Sequence, residues 1–214
     1  MLKALVKKLQ AKWQFWRRLG LVVAIAALTF SLGPRCRVDP SIDHVTSLPK
    51  SAEIGNWIIK REREIGVRDG LEATVVYAHE EKSKTKTSLI YLHGFSASRR
   101  DLEPIPQRVA KRLNANLFLA RLSAHGQDAD AFKSVKATAW LQNAIDAVRI
   151  GERLGDRVVL MGHSTGATLC AWAALGNGRI AAVVLLSPNF GVANQNAKFA
   201  LYPWGPQLLR LVAG

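Results

Sequence analysis

Apolar and polar positions along this chain fall into two regimes. The first is one unbroken block, Leu19 to Gly33, which carries no charge and follows six basic residues. Beyond Pro34, short apolar runs alternate with stretches in which apolar residues recur every third or fourth position. The runs at Gly70–Ala78, Thr87–Leu92, Asn116–Leu122, Arg157–Met161 and Ile180–Leu186 predict strands. Helical spacing predicts helices over Ser51–Ile65, Leu102–Leu113, Ser134–Leu154 and Ala167–Leu175, and another beginning within Trp204–Val212. Pro104 and Pro106 are tolerable in the second of these only within its first turn. Strand and helix alternate from Thr87 onward, and the strands are almost continuously apolar. That combination predicts an α/β fold: a mostly parallel sheet with helices on both faces.

The leading block reads as a membrane signal. Four segments are expected: a basic cytoplasmic segment at 1–18, a transmembrane signal anchor at 19–33, a proline-marked linker at 34–50, and an α/β domain over 51–214. Fifteen residues of helix reach only about 22 Å, against a hydrocarbon core of about 30 Å. Trp13, Phe15 and Trp16 at the interface, with Arg17 and Arg18 snorkelling, would extend that reach. The basic end would stay cytoplasmic and the bulk of the chain would be exported. A cleaved signal peptide is the alternative, which would leave the protein secreted; no small-x-small cleavage site follows the block.

The net charge of +14 changes meaning once it is located. The first 37 residues hold eight basic residues and no acidic one, leaving +6 dispersed over the rest. No basic stripe with interleaved aromatic residues accompanies it, so nucleic acid is not an expected partner. The two cysteines, Cys36 and Cys170, lie in unrelated settings and predict no disulfide, and no metal-ligand spacing is present.

The chemistry concentrates at Gly162-His163-Ser164-Thr165-Gly166, between a predicted strand and a predicted helix. A serine at such an apex is held clear of the sheet, and glycines on either side let strand and helix approach. The helix N-terminus behind it contributes partial positive charge toward a developing oxyanion. A second element, His93-Gly94-Phe95, closes the strand Thr87–Leu92, where Gly94 permits a tight turn. The backbone N–H groups of Phe95 and Thr165 are then candidate oxyanion donors, although a His-Gly pair alone is more often a plain turn. The remaining histidines have simpler readings: His93 structural, His125 loop-shaping rather than a substitute base, and His163 directed away from the serine hydroxyl into the strand–helix junction.

Taken together, LHGF at 92–95, AHGQDADAF at 124–132, GHSTG at 162–166 and LLSPNF at 185–190 resemble the α/β-hydrolase superfamily. The likeness is to its serine-nucleophile members, of the monoacylglycerol-lipase, lysophospholipase and serine-aminopeptidase branch, and covers about residues 70–190. The resemblance implies hydrolysis of small-molecule or lipid esters, less often amides, through an acyl-serine on Ser164, with no metal or cofactor. It also implies an acid and a histidine after the nucleophile. Residues 165–214 contain no Asp, Glu or His. The expectation is therefore an incomplete hydrolase domain lacking its C-terminal strands, with an exposed sheet edge and little activity of its own. The competing expectation is a non-catalytic, membrane-anchored binding module on the same scaffold.

Overall fold

A computed structural model describes residues 2–34, 47–175, 177–191, 198 and 201–213. In chain order the elements are α1 (Leu2–Ser31), α2 (Ser51–Ile65), β1 (Thr74–Val76), β2 (Thr85–Leu92), α3 (Ile105–Leu113), β3 (Asn116–Leu119), α4 (Ala129–Ser134), α5 (Ala137–Leu154), β4 (Gly155–His163), α6 (Thr165–Ala174), β5 (Ile180–Leu186) and α7 (Gly205–Ala213). They divide into two compact units, residues 38–191 and the two chain ends, 1–37 with 192–214.

The larger unit is built on a five-stranded sheet of order β1-β3-β2-β4-β5. The pairs β3–β2, β2–β4 and β4–β5 are parallel, and only β1 runs antiparallel, against β3. In the central strand β2 the apolar half, Leu89–Leu92, follows from its position: successive side chains point to opposite faces, and both faces are covered. Ile90 and Leu92 join a core with residues of α2, α5 and α6, including Ile58, Val148 and Leu169. Leu89 and Tyr91 face the other way, into a smaller core with Ala110 of α3 and Met161. Strand β5 ends the sheet, and no described strand pairs with its outer side; Val184 is 41 % exposed there.

Two expectations about element length need correction. The helix expected over 134–154 begins three residues later as α5, and a separate short helix, α4, precedes it, because Val135 and Lys136 between them are extended (ψ 135° and 150°). Asp128 caps the first of them, its carboxylate accepting the Ala131 amide at 3.0 Å. The strands expected over 70–78 and 116–122 shorten to three and four residues. A buried ion pair takes over beside them. Arg121 donates to both carboxylate oxygens of Glu62 (2.6 and 3.1 Å), and Glu62 also accepts the Ala73 amide.

In the other unit α1 is one continuous helix of thirty residues, running from the basic segment into the apolar block. Thr29 Oγ1 donates to the Ile25 carbonyl within it, and the Trp204 indole N–H donates to the Thr29 carbonyl at 3.1 Å. Among the described residues no helix is long and apolar enough to cross a membrane. The physical reason is that Arg17 and Arg18 stand inside the helix, directly before an apolar block of fifteen residues. Most of the predicted linker, with Pro40, His44 and Cys36, lies outside the described residues.

Candidate active site

The site follows from register. Strands β2 and β4 are adjacent, parallel and paired up to Leu92 opposite Gly162. Whatever follows Leu92 therefore meets whatever follows Gly162 at the same sheet edge. The first is the turn His93-Gly94-Phe95; the second is His163-Ser164. A methyl group placed on Gly94 would touch Ser164 Cβ at 3.3 Å, His163 Nδ1 at 3.4 Å and Asp101 Oδ2 at 3.5 Å.

Ser164 has φ 50° and ψ −116°, a conformation that L-residues other than glycine rarely adopt. Holding it costs on the order of 1–3 kcal/mol, which the surrounding contacts must offset. They do so from both sides: the Ser164 amide donates to the Leu186 carbonyl at the end of β5 (2.9 Å), and its carbonyl accepts the Thr168 amide of α6 (3.1 Å). The flanking glycines are required by close approach. A Cβ on Gly162 would overlap the Gly166 carbonyl and the Ala167 amide, and one on Gly166 would overlap the backbone of Leu92 and His93. Ser164 is half-buried, and its Oγ makes no hydrogen bond among the described residues.

The backbone N–H groups of Phe95 and Thr165 likewise have no acceptor among the described residues. Thr165 opens α6, where the first amides of a helix lack intrahelical partners. Asn189, from the segment after β5, donates to Thr165 Oγ1 (3.2 Å) and bonds Thr168 Oγ1, anchoring the first turn of α6. The Phe95 ring is 57 % exposed and meets Phe132 and Trp140 edge-on at 6.0 and 5.7 Å between centroids. These rings put an apolar wall beside the Gly94 turn.

The histidines separate by what their ring nitrogens already hold. His93 is fully buried; it bonds the Gly94 carbonyl through Nδ1 (2.8 Å) and accepts the Leu122 amide through Nε2 (3.1 Å). Burial pushes its pKa down from 6.5 to about 4. His125 accepts the Ser96 amide through Nε2 (3.1 Å), and its Nδ1 sits 3.2 Å from the Ser123 carbonyl. That leaves one tautomer, with the proton on Nδ1, and no free nitrogen for base chemistry. Burial lowers its pKa too. Both roles are structural, as the sequence suggested.

His163 is different from its expectation. Its ring does not lodge in the strand–helix junction; Nδ1 contacts Asp101 Oδ2 at 2.6 Å. The same carboxylate oxygen accepts the Gly94 amide at 3.2 Å and the Tyr91 hydroxyl at 3.4 Å. Burial alone would raise the Asp101 pKa, but the hydrogen bonds from His163 and Gly94 outweigh it and hold the carboxyl below its ordinary range. Tyr91 shifts upward, through burial first and the Asp101 charge second. Sequence reasoning missed Asp101. It lies in an irregular connection before α3, where no periodicity or motif spacing singles it out.

Cys170 is buried on α6 and its thiol is pushed up to about 12 by burial alone. Among the described residues no group of three or more His, Cys, Asp or Glu is placed to hold a metal ion. A cavity of about 150 Å³ opens between α2 and α5, walled by Trp57, Ile58, Asn143 and Asp146, and neither Ser164 nor Phe95 lines it.

The profile of the Alpha/beta hydrolase family matches residues 89–213, more than half of the chain. The chain belongs to that family. Among solved structures, the chain is similar to one from a study of LipS and LipT, two metagenome-derived lipolytic enzymes. The identity there is 21 %, the TM-score is 0.55, and 62 % of this chain and 52 % of the other are covered. It is also similar to Est1E from Butyrivibrio proteoclasticus, solved with ferulic acid bound, at 20 % identity and TM-score 0.50 over 61 % of this chain and 54 % of that one. At these identities the likeness is one of fold. The chain spans about half the length of these two structures. No match was found among curated protein sequences.

Proposed function

We propose that this hydrolase-family chain carries the nucleophile half of a serine esterase acting on carboxylic or lipid esters. Ser164 Oγ attacks the ester carbonyl, the Phe95 and Thr165 amides stabilise the oxyanion that forms, and its collapse breaks the ester C–O bond to give the acyl-serine and an alcohol that leaves with the serine's proton. The observation carrying this reading is the strained backbone of Ser164 at the β4–α6 junction, where, among the described residues, neither its hydroxyl nor the Phe95 and Thr165 amides have a hydrogen-bond partner. The exposed Phe95 beside Phe132 and Trp140 favours an apolar substrate group. Association with a membrane through α1, leaving the hydrolase portion on the extracytoplasmic side, belongs to the same proposal; exposed Trp13, Phe15 and Trp16 beside its basic residues favour it.

Turnover by these residues alone is expected to be slow. His93 and His125 have no free ring nitrogen, and residues 165–214 supply neither acid nor imidazole. Loss of a triad member costs about 10⁴ to 10⁶ in kcat. The same observation favours a second reading, a non-catalytic binding module on this scaffold. A fluorophosphonate probe followed by peptide mapping separates the two. The esterase reading expects slow labelling confined to Ser164 and abolished in Ser164→Ala; no labelling of the folded wild-type chain would establish the scaffold reading instead.

A further inference from the structure

The hydrogen-bonded ladder between β2 and β4 ends at Leu92 and Gly162, one residue short of the turn and the elbow. Among the described residues, the hydrogen bonds that join the two beyond that point run through a side chain. Asp101 Oδ2 receives the Gly94 amide from the turn and His163 Nδ1 from the end of β4, with the Tyr91 hydroxyl as a third, longer donor. The Asp101 side chain is 18 % exposed, so these bonds are made to a carboxylate largely withdrawn from solvent. Such bonds are short and strong, and the 2.6 Å contact to His163 is of that kind.

We propose that Asp101 is a positioning residue: with His163 it clasps the Gly94 turn to the elbow, and so sets the spacing of the Phe95 and Thr165 amides around Ser164. The mechanism is geometric. Gly94 lacks a side chain to brace its turn against the elbow, and the next amide along is that of Phe95. Holding the Gly94 N–H on a carboxylate that also holds His163 fixes the His93–Gly94 peptide, the one before that of the Phe95 amide, relative to the residue that leads into Ser164. An asparagine at 101 would keep one acceptor oxygen but lose the charge, and could not satisfy both donors with equal strength. This inference rests on reading the Phe95 and Thr165 amides as oxyanion donors.

The test uses the full chain with Asp101→Asn, and His163→Asn as a second variant that retains the carboxylate. Amide hydrogen exchange is followed by NMR at Gly94, with the Ser96 amide, bonded to His125, as the internal reference. Exchange at Gly94 is expected to accelerate at least about tenfold relative to Ser96 in Asp101→Asn, the loss of one charge-assisted bond. His163→Asn should show a smaller acceleration at the same amide. A folded variant with Gly94 protection unchanged relative to Ser96 would overturn the clasp, and if Asp101→Asn does not fold, His163→Asn decides alone. Fluorophosphonate labelling supplies the second readout. The maximal rate should fall about tenfold with little change in the concentration for half-saturation, because oxyanion donors act on the transition state. Equal maximal rates despite a loosened Gly94 amide would overturn the positioning role. A wild-type chain that takes no label sinks the nucleophile reading, while the exchange measurement still judges the clasp.

Discussion

His93 makes this fold sensitive to mild acid. Its ring is fully buried, with one nitrogen bonding the Gly94 carbonyl and the other accepting the Leu122 amide. Protonating it would strand a charge without water and remove the acceptor that Leu122 requires. The folded state therefore resists the proton down to about pH 4, whereas the unfolded chain accepts it near the ordinary 6.5. The pKa is lowered on folding, so the associated stability is fully present above 6.5 and is lost as pH falls toward 4. At 1.36 kcal/mol per unit, roughly 2 kcal/mol is gone by pH 5 and roughly 3 kcal/mol by pH 4. His125 is displaced in the same direction and adds to the loss. Against a typical total of about 5–15 kcal/mol, that is a large share. Urea unfolding followed by tryptophan fluorescence between pH 7.5 and 4 measures it directly. Most carboxylates titrate below pH 5, so a loss between 6.5 and 5 belongs to histidines. A flat stability profile from pH 7 to 5 would refute the assignment of His93 as a buried neutral ring.

Two further outcomes follow from the geometry. Glu62→Gln should destabilise the fold by about 3 kcal/mol in chemical denaturation, because it leaves Arg121 charged, buried and without its bidentate partner; a change below about 0.5 kcal/mol would mean the pair is solvated. Ser164→Gly should raise stability by about 1 kcal/mol while abolishing fluorophosphonate labelling, since glycine adopts φ 50° without strain. A destabilised Ser164→Gly would show that the backbone at this position carries no strain.

The sequence by itself determined the class of fold and the place of the serine. Both are local signals: apolar runs alternating with helical spacing, and glycines two residues either side of Ser164, where any added Cβ would strike neighbouring backbone. What only the tertiary structure decided are the partnerships between distant residues. His163 finds Asp101 across 62 residues and Arg121 finds Glu62 across 59, in elements whose own patterns do not mention each other. Strand order and register bring these groups together, and no local propensity encodes either. The same holds for the histidines, whose residue type is compatible with base chemistry until the fold occupies both nitrogens of His93 and His125.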